Sequence, residues 1–154
     1  MSTRSYIART TSEGYEGVYA HWDGYPEHNG RILSEHYSNP RKLTRLLSHG
    51  DISSLKEKVG RRHAFQRSNK ATSTTFYRRD RGDDHCGPHL FANFQKLADS
   101  AERSGVEYIY LFDGHSWSVA SRGPQFFGSG DRSDFSALQP LAKVLATLSP
   151  LTHD

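Results

Sequence analysis

Apolar side chains recur along this chain in two rhythms, and the points where one gives way to the other outline its elements. Ser5–Thr11 is rich in β-forming residues, and Tyr15–Trp22 alternates, with Val18, Ala20 and Trp22 on one face and Tyr19 and His21 on the other. Ser12-Glu13-Gly14 between them has the composition of a hairpin connection, so two antiparallel strands are predicted. Asp23-Gly24 ends the second strand, and Pro26 pushes Tyr25 towards extended backbone. A short helix is predicted after Asn29, with Ile32, Leu33 and either His36 or Tyr37 at helical spacing. Asn39-Pro40 supplies a cap and a first-turn proline, and Leu43, Leu46 and Leu47 form a stripe that Gly50 closes.

Ser54-Leu-Lys-Glu57 has the form of a capping box and predicts one helical turn leading to Gly60. Arg61–Ala71 is polar and aperiodic, a loop with room for a short strand at His63–Phe65. Thr72–Arg78 is β-branched and aromatic, which predicts a strand running into Arg78-Arg79-Asp80-Arg81-Gly82. From Pro88, the positions of Leu90, Phe94, Leu97, Ala98 and Ala101 predict a helix ending at Gly105. Val106–Phe112 is apolar on both faces and predicts a central strand. Asp113-Gly114 is a two-residue hairpin signal that returns His115–Ser121 antiparallel with Trp117 and Val119 inward. A glycine-rich loop, Arg122–Gly130, carries Phe126 and Phe127, and Leu138, Leu141, Leu145 and Leu148 mark a last helix with Pro140 at its start. The expected fold is therefore α+β, one domain over residues 1–154, with a mostly antiparallel sheet of about five strands and helices packed on it.

Composition narrows the class. A chain of 154 residues with 34% hydrophobic and 24% charged residues is polar, but 8 Phe, 8 Tyr and 2 Trp place it among folded domains, not disordered ones. A net charge of +3 and a pI near 9.1 permit phosphate-bearing partners and argue against mimicry of the acidic DNA backbone. The lone Cys86 rules out an internal disulfide and suits a reducing compartment. No run approaches the roughly 18 apolar residues of a membrane span, and Met1–Ser5 lacks the apolar core of a secretory leader, so a cytoplasmic location with no membrane partner is expected.

Two stretches concentrate candidate chemistry. In His21-Trp22-Asp23-Gly24-Tyr25-Pro26, Trp22 reads chiefly as core and Asp23-Gly24 chiefly as the turn. That leaves His21, with Tyr19 on its strand face and Tyr25 beyond the turn, as a corner suited to stacking on a base and reaching a phosphate. At the other stretch, strand alternation sends Arg79 and Arg81 to one face, where two guanidiniums can grip a phosphate, or pair with Asp80, Asp83 and Asp84 on an exposed edge. His85-Cys86-Gly-Pro-His89, beside Asp83 and Asp84, offers zinc-type donors, but Pro88 breaks the helix that would align the histidines and no second cysteine pair exists. No metal or other cofactor is assigned. Cys86 has no companion motif for nucleophilic catalysis, Gly128-Ser-Gly130 lacks the setting of a phosphate loop, and no Gly-x-Ser-x-Gly elbow occurs.

At His21–Gly30 with Leu33, at Gly50-Asp-Ile-Ser-Ser-Leu55 and at Tyr77-Arg-Arg-Asp-Arg-Gly82, the chain resembles a group of small bacteriophage and prophage proteins with an HWDGYP turn and an RDRG strand end. The likeness spans roughly residues 15–120 and leaves out the Cys86 region and the glycine-rich loop. The group carries no activity to transfer. It implies a phage accessory protein in the bacterial host cytoplasm, with counter-defence as the expected role. The leading expectation is a binding protein that inhibits a defence complex such as CRISPR, or sequesters a nucleotide signal, through Tyr19, His21, Trp22, Asp23, Tyr25, Arg79 and Arg81. Its partner would be a defence protein or ribonucleoprotein, or a nucleotide or nucleic-acid phosphate. The alternatives are a small phosphodiesterase or nuclease using His21, Asp23 and the Arg79/Arg81 pair, and an assembly protein that oligomerises through Phe126-Phe127 and the last helix.

Overall fold

The run that is apolar on both faces lies in the interior of the sheet, where such a strand must be to cover both sides. The computed structural model describes residues 2–67, 72–122 and 135–148, and the glycine-rich loop with Phe126 and Phe127 lies outside them. Within the described residues the sheet has eight strands: β1 (Ser5–Thr11), β2 (Gly14–Ala20), β3 (Ile52–Ser54), β4 (Thr75–Phe76), β5 (His89–Phe91), β6 (Tyr108–Phe112), β7 (Trp117–Ser121) and β8 (Gln139–Pro140). Their order is β4-β3-β2-β1-β6-β7-β8, and β5 pairs with β2. Five helices accompany them: α1 (Arg31–His36), α2 (Pro40–Ser48), α3 (Tyr77–Arg81), α4 (Phe94–Arg103) and α5 (Leu141–Leu148).

The fold is α+β, but the sheet is larger than the expected five strands, and it is mixed. β1 runs antiparallel to β2 and parallel to β6, with Ser5 opposite Tyr108, and β2 and β3 are also parallel, with Ala20 opposite Ile52. Strand direction is set by how the chain crosses over and leaves no mark in the apolar rhythm. The strands missed, β3, β5 and β8, are two or three residues long, too short to show a period. One face of the sheet, with Ile7, Val18, Ala20, Tyr110, Phe112, Trp117 and Val119, packs on Leu33 of α1, the leucines of α2 and Leu141 of α5. The opposite face, with Tyr6, Ala8, Ile109, Leu111 and Ala120, packs on Leu97, Ala98 and Ala101 of α4, and Tyr15 and Tyr19 lie at its margin.

Local signals hold where their cause is local. Asn39 Oδ1 accepts the amides of Arg41 and Lys42 at 2.9 and 3.1 Å, a cap that contributes about 1 kcal/mol, and Leu43, Leu46 and Leu47 are fully buried. Gly50 then takes φ +82°, where a Cβ would stand 2.0 Å from the Cys86 carbonyl oxygen. Asp113-Gly114 does reverse the chain between β6 and β7, although the loop is residues 113–116, pairing resumes at Phe112 and Trp117, and Asp113 Oδ1 accepts the amides of His115 and Ser116.

Local signals fail where a distant partner offers more. The capping box at Ser54 forms no helix. Leu55 is buried, and Thr74 Oγ1 both accepts from the Lys56 amide and donates to its carbonyl, which keeps the segment extended. Of the strand expected over Thr72–Arg78, Thr75–Phe76 joins the sheet and Ser73 forms a lone parallel bridge with Lys58, and a helical turn, α3, replaces its end. The short strand expected at His63–Phe65 is instead the approach to a 3-10 turn, Phe65–Arg67. The helix expected from Pro88 begins at Phe94, capped by Asn93, and Pro88 leads into β5, where Leu90 is 76% exposed. The helix expected after Asn29 begins earlier, as a π-helical turn over Pro26–Gly30 that continues into α1.

Candidate functional site

β2 ends at Ala20, and its odd-numbered side chains lead along the α4 face to the margin of the sheet. Tyr19 and His21 meet there, the phenol oxygen 2.7 Å from Nδ1. The next two amides, of His21 and Trp22, both donate to β3, to the carbonyls of Ile52 and Ser53 at 3.0 and 3.2 Å. Two successive amides on one side break the pleat, because a regular strand turns alternate amides to opposite edges. Trp22 therefore does not follow Val18 and Ala20 into the core. It is 44% exposed, edge-on to the His21 ring with centroids 4.7 Å apart, which corrects its assignment to the interior.

Beyond Trp22 the corner is clamped from several directions. Asp23 sits in the left-handed region at φ 58°, a conformation that Asp tolerates better than most residues, and its Oδ1 accepts the Tyr25 hydroxyl at 3.2 Å. Gly24 donates to the Thr3 carbonyl at 2.8 Å, and a Cβ there would lie only 2.8 Å from that oxygen. The Gly24 carbonyl accepts the buried hydroxyl of Tyr110 at 2.6 Å. Fully buried Asn29 donates its side-chain amide to the Trp22 carbonyl at 3.3 Å and its backbone amide to the Asp23 carbonyl at 3.2 Å. Tyr25 stands exposed at the tip.

Arg79 and Arg81 do not form a clamp. Helical turning in α3 separates them where a strand would have aligned them. Arg79 points inward, with Nε 3.0 Å from Asp80 Oδ1, Nη2 on Asp80 Oδ2 and the Thr74 carbonyl, and Nη1 on the Val59 and Gly60 carbonyls. Its guanidinium also covers the Phe76 ring. Buried Asp80 completes the knot by accepting the amides of Phe76 and His63. Burial alone would raise the Asp80 pKa, but these hydrogen bonds, led by that of Arg79, hold the carboxyl below its ordinary value. Arg81 stays outside, paired with Asp83 at 2.7 Å and stacked over Phe65 and Tyr77.

The structure gives two residues a place beside this corner that their sequence settings do not suggest. Asp51 Oδ1 accepts the Tyr19 amide at 2.9 Å and lies 3.6 Å from His89 Nε2. Its interaction with this carboxylate raises the His89 pKa above the ordinary imidazole value. Burial, seconded by the positive charge of Arg4, lowers that of His21. Burial also raises the Tyr19 pKa, so the phenol keeps its proton; Arg4 opposes this, and Tyr77 and Asp51 add to it. The Tyr77 amide donates to the Asp51 carbonyl at 3.3 Å and Arg81 stacks on the Tyr77 ring, so the second stretch borders the residue that holds the Tyr19 amide.

At the zinc-type donors, Cys86 Sγ lies 3.4 Å from the carbonyls of Asp83 and Asp84, and burial raises its pKa. His89 turns away to Asp51, and among the described residues no group of three or more His, Cys, Asp or Glu side chains is arranged to hold a metal. Nor is any described helix long and apolar enough to cross a membrane. Asp51 carried one faint signal, its place after the helix-closing Gly50. His89 reads in the sequence as a zinc-type donor beside His85 and Cys86, not as a partner of Asp51. No family model, no curated protein and no solved structure matches this chain.

Proposed function

We propose that this chain acts by binding: a phage-type counter-defence protein that blocks a bacterial defence complex, such as a CRISPR ribonucleoprotein, or sequesters a nucleotide signal. The surface is the corner of Tyr19, His21, Trp22, Asp23 and Tyr25, with Tyr77 and Arg81 at its margin. One observation carries the reading. A clamped backbone holds the Trp22 indole half out of the protein beside a neutral imidazole, at a clear expense in apolar burial. An exposed aromatic of this kind is suited to stacking on a base or anchoring a protein interface. The net charge of +3 favours a phosphate-bearing or acidic partner. The corner carboxylates serve the frame: Asp23 holds Tyr25, and Asp51 holds the Tyr19 amide.

The test is salt-sensitive binding of the purified chain to a CRISPR effector ribonucleoprotein and to a cyclic dinucleotide, compared with a folded His21→Ala, Trp22→Ala, Tyr25→Ala variant. Loss of binding supports the reading, and unchanged binding overturns it. Hydrolysis is the second reading. The observation in its favour is that one sheet face carries an imidazole pushed towards protonation, His89, and one pushed towards neutrality, His21, a division suited to acid and base work. Its participants would be His21, His89 and Asp51, since Arg79 is consumed within the fold. Recovery of intact nucleotide after incubation and denaturation excludes turnover, and a shortened product establishes it.

A further inference from the structure

Arg4 immediately precedes β1 and stands across from His21, because the hairpin register pairs Ser5 with Ala20. Tyr6 and Tyr19, the next pair on the same side, border the α4 face, so Arg4 and His21 are cross-strand neighbours on that face. The guanidinium lies over the reversal that follows α4: a Cβ at Gly105 would approach its Nη1 to 2.8 Å, and the glycine leaves that space open. Among the described residues the buried Arg4 Nε has no hydrogen-bond partner and no ion pair involves this side chain. A donor withheld from water and given no acceptor carries a desolvation penalty, and the rest of this half-buried guanidinium has no acceptor among the described residues to oppose a ligand.

His21 supplies a second donor. The Tyr19 hydroxyl lies 2.7 Å from Nδ1, and when it donates there the proton of the neutral ring sits on Nε2. Trp22 supplies a half-exposed aromatic plane beside the imidazole, with ring centroids 4.7 Å apart, so a base on the indole has the histidine as its neighbour. A carboxylate ligand would satisfy the guanidinium but leave the exposed indole without a role.

We propose that Arg4, His21 and Trp22 form a subsite for a nucleoside phosphate: Arg4 and His21 Nε2–H bind the phosphate, and the base stacks on the Trp22 indole. This rests on the corner being a binding surface and names its ligand class. A free nucleotide signal and a single-stranded nucleic acid share this chemistry.

Calorimetric titration of the whole chain with adenosine 5′-monophosphate, cyclic di-adenosine monophosphate and single-stranded penta-adenylate tests it, with adenosine alone as the phosphate-free control. The expected result is binding of a phosphate-bearing probe that weakens as salt rises, with adenosine bound about tenfold more weakly. Arg4→Gln weakens the phosphate-bearing probes by about tenfold and leaves adenosine unchanged. Trp22→Ala weakens all of them by about 10- to 100-fold. Tighter binding of the cyclic dinucleotide identifies a free signal as the source, and tighter binding of penta-adenylate a single strand.

Three results overturn the inference, and they bear differently on the reading beneath it. If the probes bind and Trp22→Ala changes nothing, both fall. If Trp22→Ala abolishes binding but Arg4→Gln and Arg4→Lys, each folded by circular dichroism, bind phosphate-bearing probes as the native chain does, the phosphate assignment alone falls. If no probe binds while a CRISPR ribonucleoprotein is held in a Trp22-dependent way, the nucleoside phosphate is wrong and the binding surface stands.

Discussion

The Arg79 side chain is only 11% exposed, and every N–H donor of its guanidinium meets an acceptor within the chain, whereas Trp22, apolar over most of its surface, stands 44% exposed. Residue type alone would exchange these fates. The difference lies in what surrounds each one. Around Arg79 the fold supplies a buried carboxylate and three backbone carbonyls that need donors, so a charge can be enclosed. Around Trp22 the neighbouring backbone is drawn to β3 and the turn is pinned by Asn29 and Tyr110, so the indole has no route inward. A cation can thus be framework and an aromatic can be surface, provided that hydrogen bonds of the backbone fix both.

Breaking the framework side should have the largest effect. Asp80→Ala leaves Arg79 enclosed without its counter-ion and should cost about 3–5 kcal/mol in urea unfolding. A loss below about 1 kcal/mol would show that the carbonyls alone hold the arginine. Because the folded pKa of Asp80 is depressed, its stabilisation is complete above the ordinary carboxylate value of about 3.9 and disappears as the pH falls through the lower folded value. A stability profile of Asp80→Asn should therefore lack part of the native chain's acid-induced decline.

Tyr110→Phe comes next. It leaves the Gly24 carbonyl without its buried donor, with an expected loss of about 1–3 kcal/mol and faster amide exchange at Gly24 than at Leu46. Trp22→Ala should cost about 1 kcal/mol for the buried part of the indole while weakening binding by about 10- to 100-fold, which separates surface from framework in one variant. The smallest effect belongs to Arg81→Ala, which should leave the melting temperature where it is, since its pairing with Asp83 lies in solvent. A clear drop in melting temperature would mean that the stack on Phe65 and Tyr77 is part of the framework after all.

The same contrast explains what could be seen in the sequence. α2 was legible at both ends because Asn39 and Gly50 act on their immediate neighbours. β6 was legible because burial on both faces leaves no polar position. The turn at Tyr77–Arg81 was not, since its cause is a carboxylate shared between an amide four residues back and another seventeen residues back. His21 and Tyr19 were correctly placed on one face, because alternation is still intact up to that point. Trp22 lies one residue beyond it. Arg4 carries no motif, Asp51 and His89 stand out in the sequence only in other settings, and it is sheet pairing that brings all three beside Tyr19 and His21.

The parallel seating of β6 against β1 also determines when the corner can come into being. The β1–β2 hairpin makes local contacts and can close early in folding. The clamp on Gly24 cannot, because the hydroxyl that holds it belongs to a residue 86 positions further along, on a strand that must first settle beside β1. His21 to Pro26 are therefore in place in the growing chain long before they are a surface. A nascent or partly folded molecule displays the motif without the geometry, and the clamped corner is complete only once β6 has docked.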